Sequence, residues 1–437
     1  MEPNLAVVIA GIAGLLFLLA TGLHVAVAIL IVSFIGLSAL LGVHNSLTFL
    51  MTTPFSAAMG YGFVVLPLFI LMGEFAVQGK IAPLMYEAMS KVLGGLRGGL
   101  AMATTGAIAA FGTVTGSSLV SVAVFSKIAV PEMLKYNYDK RLACGVVAAS
   151  ATLAALIPPS GMMIMYTIFT DESLGRMLIG GFIPGMLSAA VYMTMIYTRV
   201  RLNPDLAAVR VEKVPWRGKV VALSKLTPVV ILVIVMLGGI SFGVCSPYEA
   251  GALGALTVFI IGLFLRTFTF DNIKVSLINT SRLTASLFFL LMIAMLFGKF
   301  MTVSGLQKFI NDFVLGLNVP PVVVIIACLG VYFILGTFMD AISQMAITLP
   351  VFYPLLTSLG VDGIWFGILF IKMCEIAQIT PPIGISVYVT QSILADTISL
   401  PGLMKAIFPF LLMDILTVVI LIIFPQIVLW LPSVMFG

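Results

Sequence analysis

The sequence predicts an all-α polytopic membrane protein made of two inverted-topology repeats, each holding a re-entrant helical hairpin and a broken transmembrane helix. Three observations carry that expectation: an apolar excess, the placement of the basic residues, and one set of Pro, Gly and Asp positions that occurs twice. Hydrophobic residues make up 61% of the 437-residue chain and charged residues 9%. Soluble domains hold roughly a half and a quarter respectively. Runs of about 20 apolar residues need lipid to bury them on all sides, so membrane lipid is the first expected partner. The apolar total corresponds to about ten to twelve crossings.

Spans are expected near 4–20, 22–42, 58–78, 141–170 and 177–199, then near 226–244, 249–265, 284–304, 363–392 and 403–431. The first carries Glu2, has no basic n-region and runs into further apolar sequence, which reads as a retained helix rather than a cleaved signal. The apolar stretches 98–130 and 321–352 read as hairpins that enter and leave on one side, because a full crossing at each would break the alternation of charged loops. Leu84, Met85, Ala88, Met89, Val92, Leu93 and Leu96 form one apolar stripe, and Leu306, Phe309, Ile310, Phe313, Val314 and Leu317 form another. Each fits a helix lying in an interface, and equally an ordinary packed loop helix. Cys144, Cys245, Cys328 and Cys374 are far apart in apolar runs, a pattern of packing rather than of disulfides or metal chemistry.

No Lys or Arg precedes Lys80 or follows Lys405, so both termini are expected outside the cytoplasm. Arg199, Arg201, Arg210, Lys213, Arg217, Lys219 and Lys225 crowd the segment 200–225 and its edge, with Pro204 and Pro215 interrupting any helix. This linker is expected to be cytoplasmic and to divide the repeats, 1–199 and 226–437. On that path all 22 basic residues except Arg176, Lys299, Lys308 and Lys372 face the cytoplasm. The net charge of +5 then reports orientation and calls for no nucleic-acid partner.

The repeat is legible in fixed offsets. Pro131, Asp139, Pro158, Pro159 and Gly161 share their spacing with Pro354, Asp362, Pro381, Pro382 and Gly384. Upstream, Gly73-Glu74-Phe75 matches Gly298-Lys299-Phe300, and Gly112-Thr113 matches Gly336-Thr337. An odd number of crossings per copy inverts the second copy in the membrane, as in secondary transporters.

Irregular backbone at membrane depth is tolerated only where protein buries it or a cavity receives it. Four breaks qualify: Gly112 to Ser118 at the first hairpin turn, Leu156 to Gly161 in the span 141–170, Gly336 to Ala341 at the second hairpin turn, and Gln378 to Gly384 in the span 363–392. Hydroxyls and freed carbonyls suit a small hard cation, and half-helix N-termini suit an anion, so sodium and an anionic solute are the expected ligands. Singly, each motif is more often a kink or small-residue packing; their recurrence in both halves reverses that judgement. Asp340 is the leading intramembrane carboxylate. Lys372 and Glu375, three residues apart, are expected to neutralise each other, Asp414 reads as a bundle-packing carboxyl, and Glu74 and Lys299 are repeat mates able to meet.

These residues resemble the large membrane subunit of the tripartite ATP-independent periplasmic (TRAP) transporters, within the wider ion transporter superfamily. The resemblance rests on Phe111 to Ser118, Pro131-Glu132-Met133, Tyr138-Asp139, Leu156 to Gly161, Ile183-Pro184-Gly185, Gly360 to Gly367 and Thr380 to Gly384. It implies a sodium-driven importer of organic anions, not an enzyme, in a bacterial or archaeal inner membrane with both termini periplasmic, working with a small four-helix membrane subunit and a periplasmic binding protein, with a transport domain moving like an elevator against a scaffold. It also implies one sodium site at Gly112, Thr115, Ser117 and Ser118 with Ile157, Pro158 and Ser160. A second would lie at Gly336, Thr337 and Asp340 with Thr380 and Pro381. The solute would sit between the turns, at Thr115, Gly116, Ser117, Ser118 and Asp340.

No G-x-x-x-x-G-K-[ST] loop occurs, so ATP is not an expected ligand. A tenfold sodium gradient supplies ~1.4 kcal/mol per ion and 100 mV adds about 2.3 per net charge, so two sodium ions with a monovalent anion have roughly 5 kcal/mol available. The rival within transport is a cation/proton antiporter exchanging on Asp340 or Asp414. A membrane-embedded hydrolase or protease is disfavoured, because Ser117 has no nearby histidine and no lysine within the hairpin's apolar part, and a plain channel is separated by saturable, sodium-dependent uptake.

Overall fold

The computed structural model describes residues 4–60, 62–207, 214–381 and 384–436, and every regular element among them is helical. The first half runs α1 (Leu5–Ala20), α2 (Val25–Leu41), α3 (Val43–Ala58), α4 (Gly62–Gln78), α5 (Ile81–Leu93), α6 (Gly99–Thr115), α7 (Ser118–Lys135), α8 (Lys140–Ser150), α9 (Leu153–Leu156), α10 (Gly161–Thr170) and α11 (Leu174–Leu202). The second runs α12 (Trp216–Ser224), α13 (Thr227–Val233), α14 (Gly239–Ser241), α15 (Pro247–Phe264), α16 (Phe270–Val303) and α17 (Leu306–Gly316). It continues with α18 (Pro321–Gly336), α19 (Ala341–Ser358), α20 (Gly363–Gln378), α21 (Ile385–Ile393), α22 (Leu400–Ile423) and α23 (Gln426–Phe436).

One order of elements occurs twice: a long helix (α4, α16), a short one (α5, α17), a hairpin (α6–α7, α18–α19), a helix that breaks (α8–α10, α20–α21) and a further long helix (α11, α22). The recurring sequence positions have matching structural roles. Pro131 and Pro354 each lie four residues before the last residue of the second hairpin helix. Asp139 and Asp362 are the N-caps of α8 and α20, each accepting two backbone N–H bonds at 2.8–3.1 Å. Pro382 lies outside the described residues.

Several boundaries differ from the sequence reading. α3 was not expected: its Ser and Thr content lowers the hydropathy, but Ser46, Thr48 and Thr52 return their hydroxyl hydrogens to carbonyls one turn back, so the helix carries them without loss. Pro215 does not interrupt a helix but starts α12, since a proline at a helix entrance forfeits no hydrogen bond. α16 begins at Phe270 rather than near 284 and runs 34 residues, capped by Thr269. The last expected span is two helices, because Pro425 separates α22 from α23. Among the described residues five helices are long and apolar enough to cross a membrane and three bent pairs qualify together, while α1 and α2 are shorter, at 16 and 17 residues. The four cysteines are free and buried.

The two amphipathic stripes fare differently. α5 buries Ile81, Ala82, Met85 and Ala88 and packs on α6 and α12, with Glu87 bonded to Lys91 and to Lys225. Those two ammonium groups hold the Glu87 carboxyl below the ordinary carboxylate range. α17 buries only Leu306 and leaves Phe309 and Phe313 exposed.

One large core joins most helices, and a smaller one fastens α1 and α2 to α16. Phe300 of α16 is the wedge of the smaller core. A Cβ on Gly36 of α2 would stand 2.3 Å from its ring, and one on Gly11 of α1 would stand 3.1 Å away. Gly36→Val is therefore expected to cost about 1–3 kcal/mol by overpacking. Gly330→Val, whose Cβ meets nothing within 4 Å, serves as the control. Thermal unfolding in detergent distinguishes them, and equal midpoints would mean that Phe300 does not fasten α2.

Candidate functional site

The first hairpin turns on two residues. Gly116 ends α6 in the left-handed region (φ 58°), its N–H bonding Gly112 O at 2.8 Å, and Ser117 opens α7 as N-cap, its Oγ accepting from Val120 N. The turn is seated on the proline break of the neighbouring helix. A Cβ on Gly116 would stand 2.7 Å from Pro159 O, one on Gly112 would stand 2.6 Å from Ala154 Cα, and one on Gly73 of α4 would stand 3.1 Å from Thr115 O. Only glycine permits these approaches. Gly161 N reaches back to Gly116 O at 3.4 Å, and Ser160 caps α10. Ile157 points away from the turn into the core, where Gly185 of α11 makes room for its side chain.

The second hairpin repeats this scheme with a carboxylate. Gly336 lets α18 approach Ala377 of α20 so closely that a Cβ would stand 2.5 Å from the alanine methyl. Asp340 opens α19 as N-cap: Oδ1 accepts from Ile342 N and Ser343 N at 3.0 and 3.1 Å, and Oδ2 takes the Ser343 hydroxyl. Thr337 donates to Ile334 O at 2.8 Å and Thr380, at the end of α20, to Ile376 O at 2.6 Å. Thr115 likewise donates to Phe111 O. Each hydroxyl spends its one hydrogen on a carbonyl and keeps oxygen lone pairs available, a donor set suited to a small hard cation. Among the described residues no group of three or more His, Cys, Asp and Glu forms a metal cluster.

Both turns open on one cavity of about 300 Å³. It brings together Thr115, Gly116, Ser117, Ser118 and Asp340, with Pro159 and Gly161 of the break beside them. Gly112, Ile157, Pro158, Ser160, Gly336, Thr337, Thr380 and Pro381 are not among its lining residues. The N-terminal residues of α7, α10 and α19 all face the cavity, each helix presenting about half a positive charge there. Among the described residues no Lys, Arg or His lines it.

Glu375 is the residue that sequence reasoning missed. It lies in the lining, and its Oε1 accepts from Ser118 Oγ and Gln378 Nε2, both at 3.1 Å. Lys372, expected to neutralise it, instead pairs with Asp414 Oδ1 at 2.5 Å, the two side chains 1% and 0% exposed, with the ammonium 5.7 Å from the Tyr192 ring. Asp414 of α22 takes the ammonium, and Glu375, buried as deeply one turn away, is met by Ser118 and Gln378 instead. The two aspartates considered for proton exchange are thus a helix cap and half of an ion pair. Glu74 accepts from Asn279 at 3.0 Å, and no ion pair joins it to Lys299 among the described residues.

The chain matches, over residues 12–427, the family model described as "Tripartite ATP-independent periplasmic transporter, DctM component". It belongs to that family. The C4-dicarboxylate TRAP transporter large permease protein DctM of Vibrio cholerae is 30% identical over 97% of this chain and 98% of its own. The isethionate TRAP transporter permease protein DctMQ of Oleidesulfovibrio alaskensis is 28% identical over 78% of this chain and 53% of its own length. The ectoine permease TeaC of Halomonas elongata is 29% identical over 85% and 86%. The solved structure of the Alcanivorax borkumensis YdaH transporter shares the fold, with a TM-score of 0.59 over 87% of this chain and 89% of that one at 16% identity. This TRAP large permease is therefore the membrane-embedded component of a tripartite periplasmic transporter and not an enzyme.

Within the permease, the Lys372–Asp414 pair makes a prediction of its own. Lys372→Met leaves a buried unpaired carboxylate and should cost about 3–5 kcal/mol, whereas Lys372→Met with Asp414→Leu should recover most of that loss. A double variant melting no higher than the single one in detergent would contradict the pairing.

Proposed function

We propose that this permease imports a small organic acid together with sodium ions, the two hairpins and broken helices moving as one elevator-like body against a scaffold. The observation that carries the reading is the convergence of three helix N-termini and two hydroxyl-bearing turns on one cavity that, among the described residues, has no basic side chain. The N-termini suit the solute's acidic group and the turn oxygens suit sodium. The first sodium site takes the turn Gly112 to Ser118 with the Pro158 break, and the second takes Gly336, Thr337 and Asp340 with Thr380 and Pro381. Solute delivered by the periplasmic binding protein sits between the turns, and the small four-helix subunit joins the scaffold.

The repeated order of elements supports an inverted second copy, with the basic linker in the cytoplasm and both termini periplasmic. Relatives named for C4-dicarboxylates, isethionate and ectoine support a solute with an acidic group.

The test is uptake of the solute of the cognate binding protein into proteoliposomes holding the complete system. Uptake should require an inward sodium gradient and rise with an inside-negative potential, because more than one sodium ion moves with a monovalent anion. Uptake indifferent to voltage would contradict that stoichiometry, and uptake without sodium would contradict the coupling.

A further inference from the structure

We propose that the solute carried through this cavity bears a cationic nitrogen set against Glu375, in addition to the acidic group held by the helix N-termini. The inference rests on reading the cavity as the solute site and narrows the class of solute.

Among the described residues three carboxylates line the cavity, Glu74, Asp340 and Glu375, and no basic side chain does. Two of the three have protein partners that account for them. Asp340 uses both oxygens to cap α19, and Glu74 is partly exposed and bonded to Asn279. Glu375 differs. It is 1% exposed, its Oε1 is doubly bonded by Ser118 and Gln378, and its Oε2 is buried with no hydrogen-bond partner. The nearest ammonium along the helix, Lys372, is held by Asp414.

A buried carboxylate oxygen without a donor is costly, and in a native protein such an orphan calls for a specific explanation. Here the side chain that carries the orphan lines a cavity into which three helix N-termini also point. One wall therefore favours negative charge and the opposite demand, for a positive or donating group, comes from a single oxygen. A plain dicarboxylate answers the first and is repelled by the second. A solute with an acidic group and an ammonium or amidinium nitrogen answers both, and a cavity of about 300 Å³ suits a molecule of that small size.

Matched pairs test this without knowledge of the natural solute. The permease is purified with its small subunit in detergent and saturating sodium, and thermal unfolding is titrated with succinate against L-aspartate and with ethanesulfonate against taurine. The aminated member of each pair should bind at least roughly tenfold more tightly, the worth of one hydrogen bond to a charged group. Glu375→Gln should abolish the difference. Equal binding within the pairs, tighter binding of the unaminated acid, or a preference that survives Glu375→Gln would overturn the proposal. The stabilisation of the wild-type protein by sodium alone is read in the same experiment; its absence would count against sodium coupling, independently of the pairs.

Discussion

A helix interrupted in an apolar surround exposes backbone groups that lipid cannot satisfy, and the architecture of this permease follows from finding partners for them within the chain. The break at Pro158 and Pro159 is closed by the turn of the first hairpin, which places Gly116 against Pro159 and Gly161. The break after Gln378 lies beside the second hairpin, where Gly336 and Ala377 meet. Caps at Ser117, Ser160 and Asp340 satisfy the first amides of three helices. Once each hairpin is committed to its break, the two turns have little choice but to face one another across a shared space.

That geometry resolves an electrostatic difficulty. Under the proposed function, an anion in the cavity needs positive potential, yet a Lys or Arg there would compete with sodium for the same oxygens. Helix N-termini supply fixed partial charge without a mobile side chain. Among the described residues the one buried basic side chain, Lys372, is neutralised by Asp414. Glu375 then stands at the contact between the halves, bonded to Ser118 across 257 positions of sequence.

The parts of this arrangement that repeat along the chain were readable in it. Asp139 and Asp362, Pro131 and Pro354, and the glycines of the two turns showed themselves by spacing, because a cap or a close approach imposes a residue type at a fixed place. Partnerships across helices were not readable. Lys372 and Glu375 satisfied the local rule for helical neighbours, and only packing showed that Asp414, 42 residues on, and Ser118 were the real partners. α3 escaped notice because hydropathy counts its hydroxyls as polar when their hydrogens are already bonded to the preceding turn. Pro215 misled for a related reason: its missing N–H matters inside a helix and not at its start.

The central claim is that the two turns form one site that opens to one side of the membrane at a time. Leu119→Cys and Ile342→Cys place a thiol on each turn of the cavity, against a background of four buried native cysteines. Their reaction with a membrane-impermeant thiol reagent, added from either side of oriented vesicles, tests the claim most directly. The account expects both to react from the same side and to be protected together when sodium and solute are added. Reaction from opposite sides, or protection of one without the other, would contradict it.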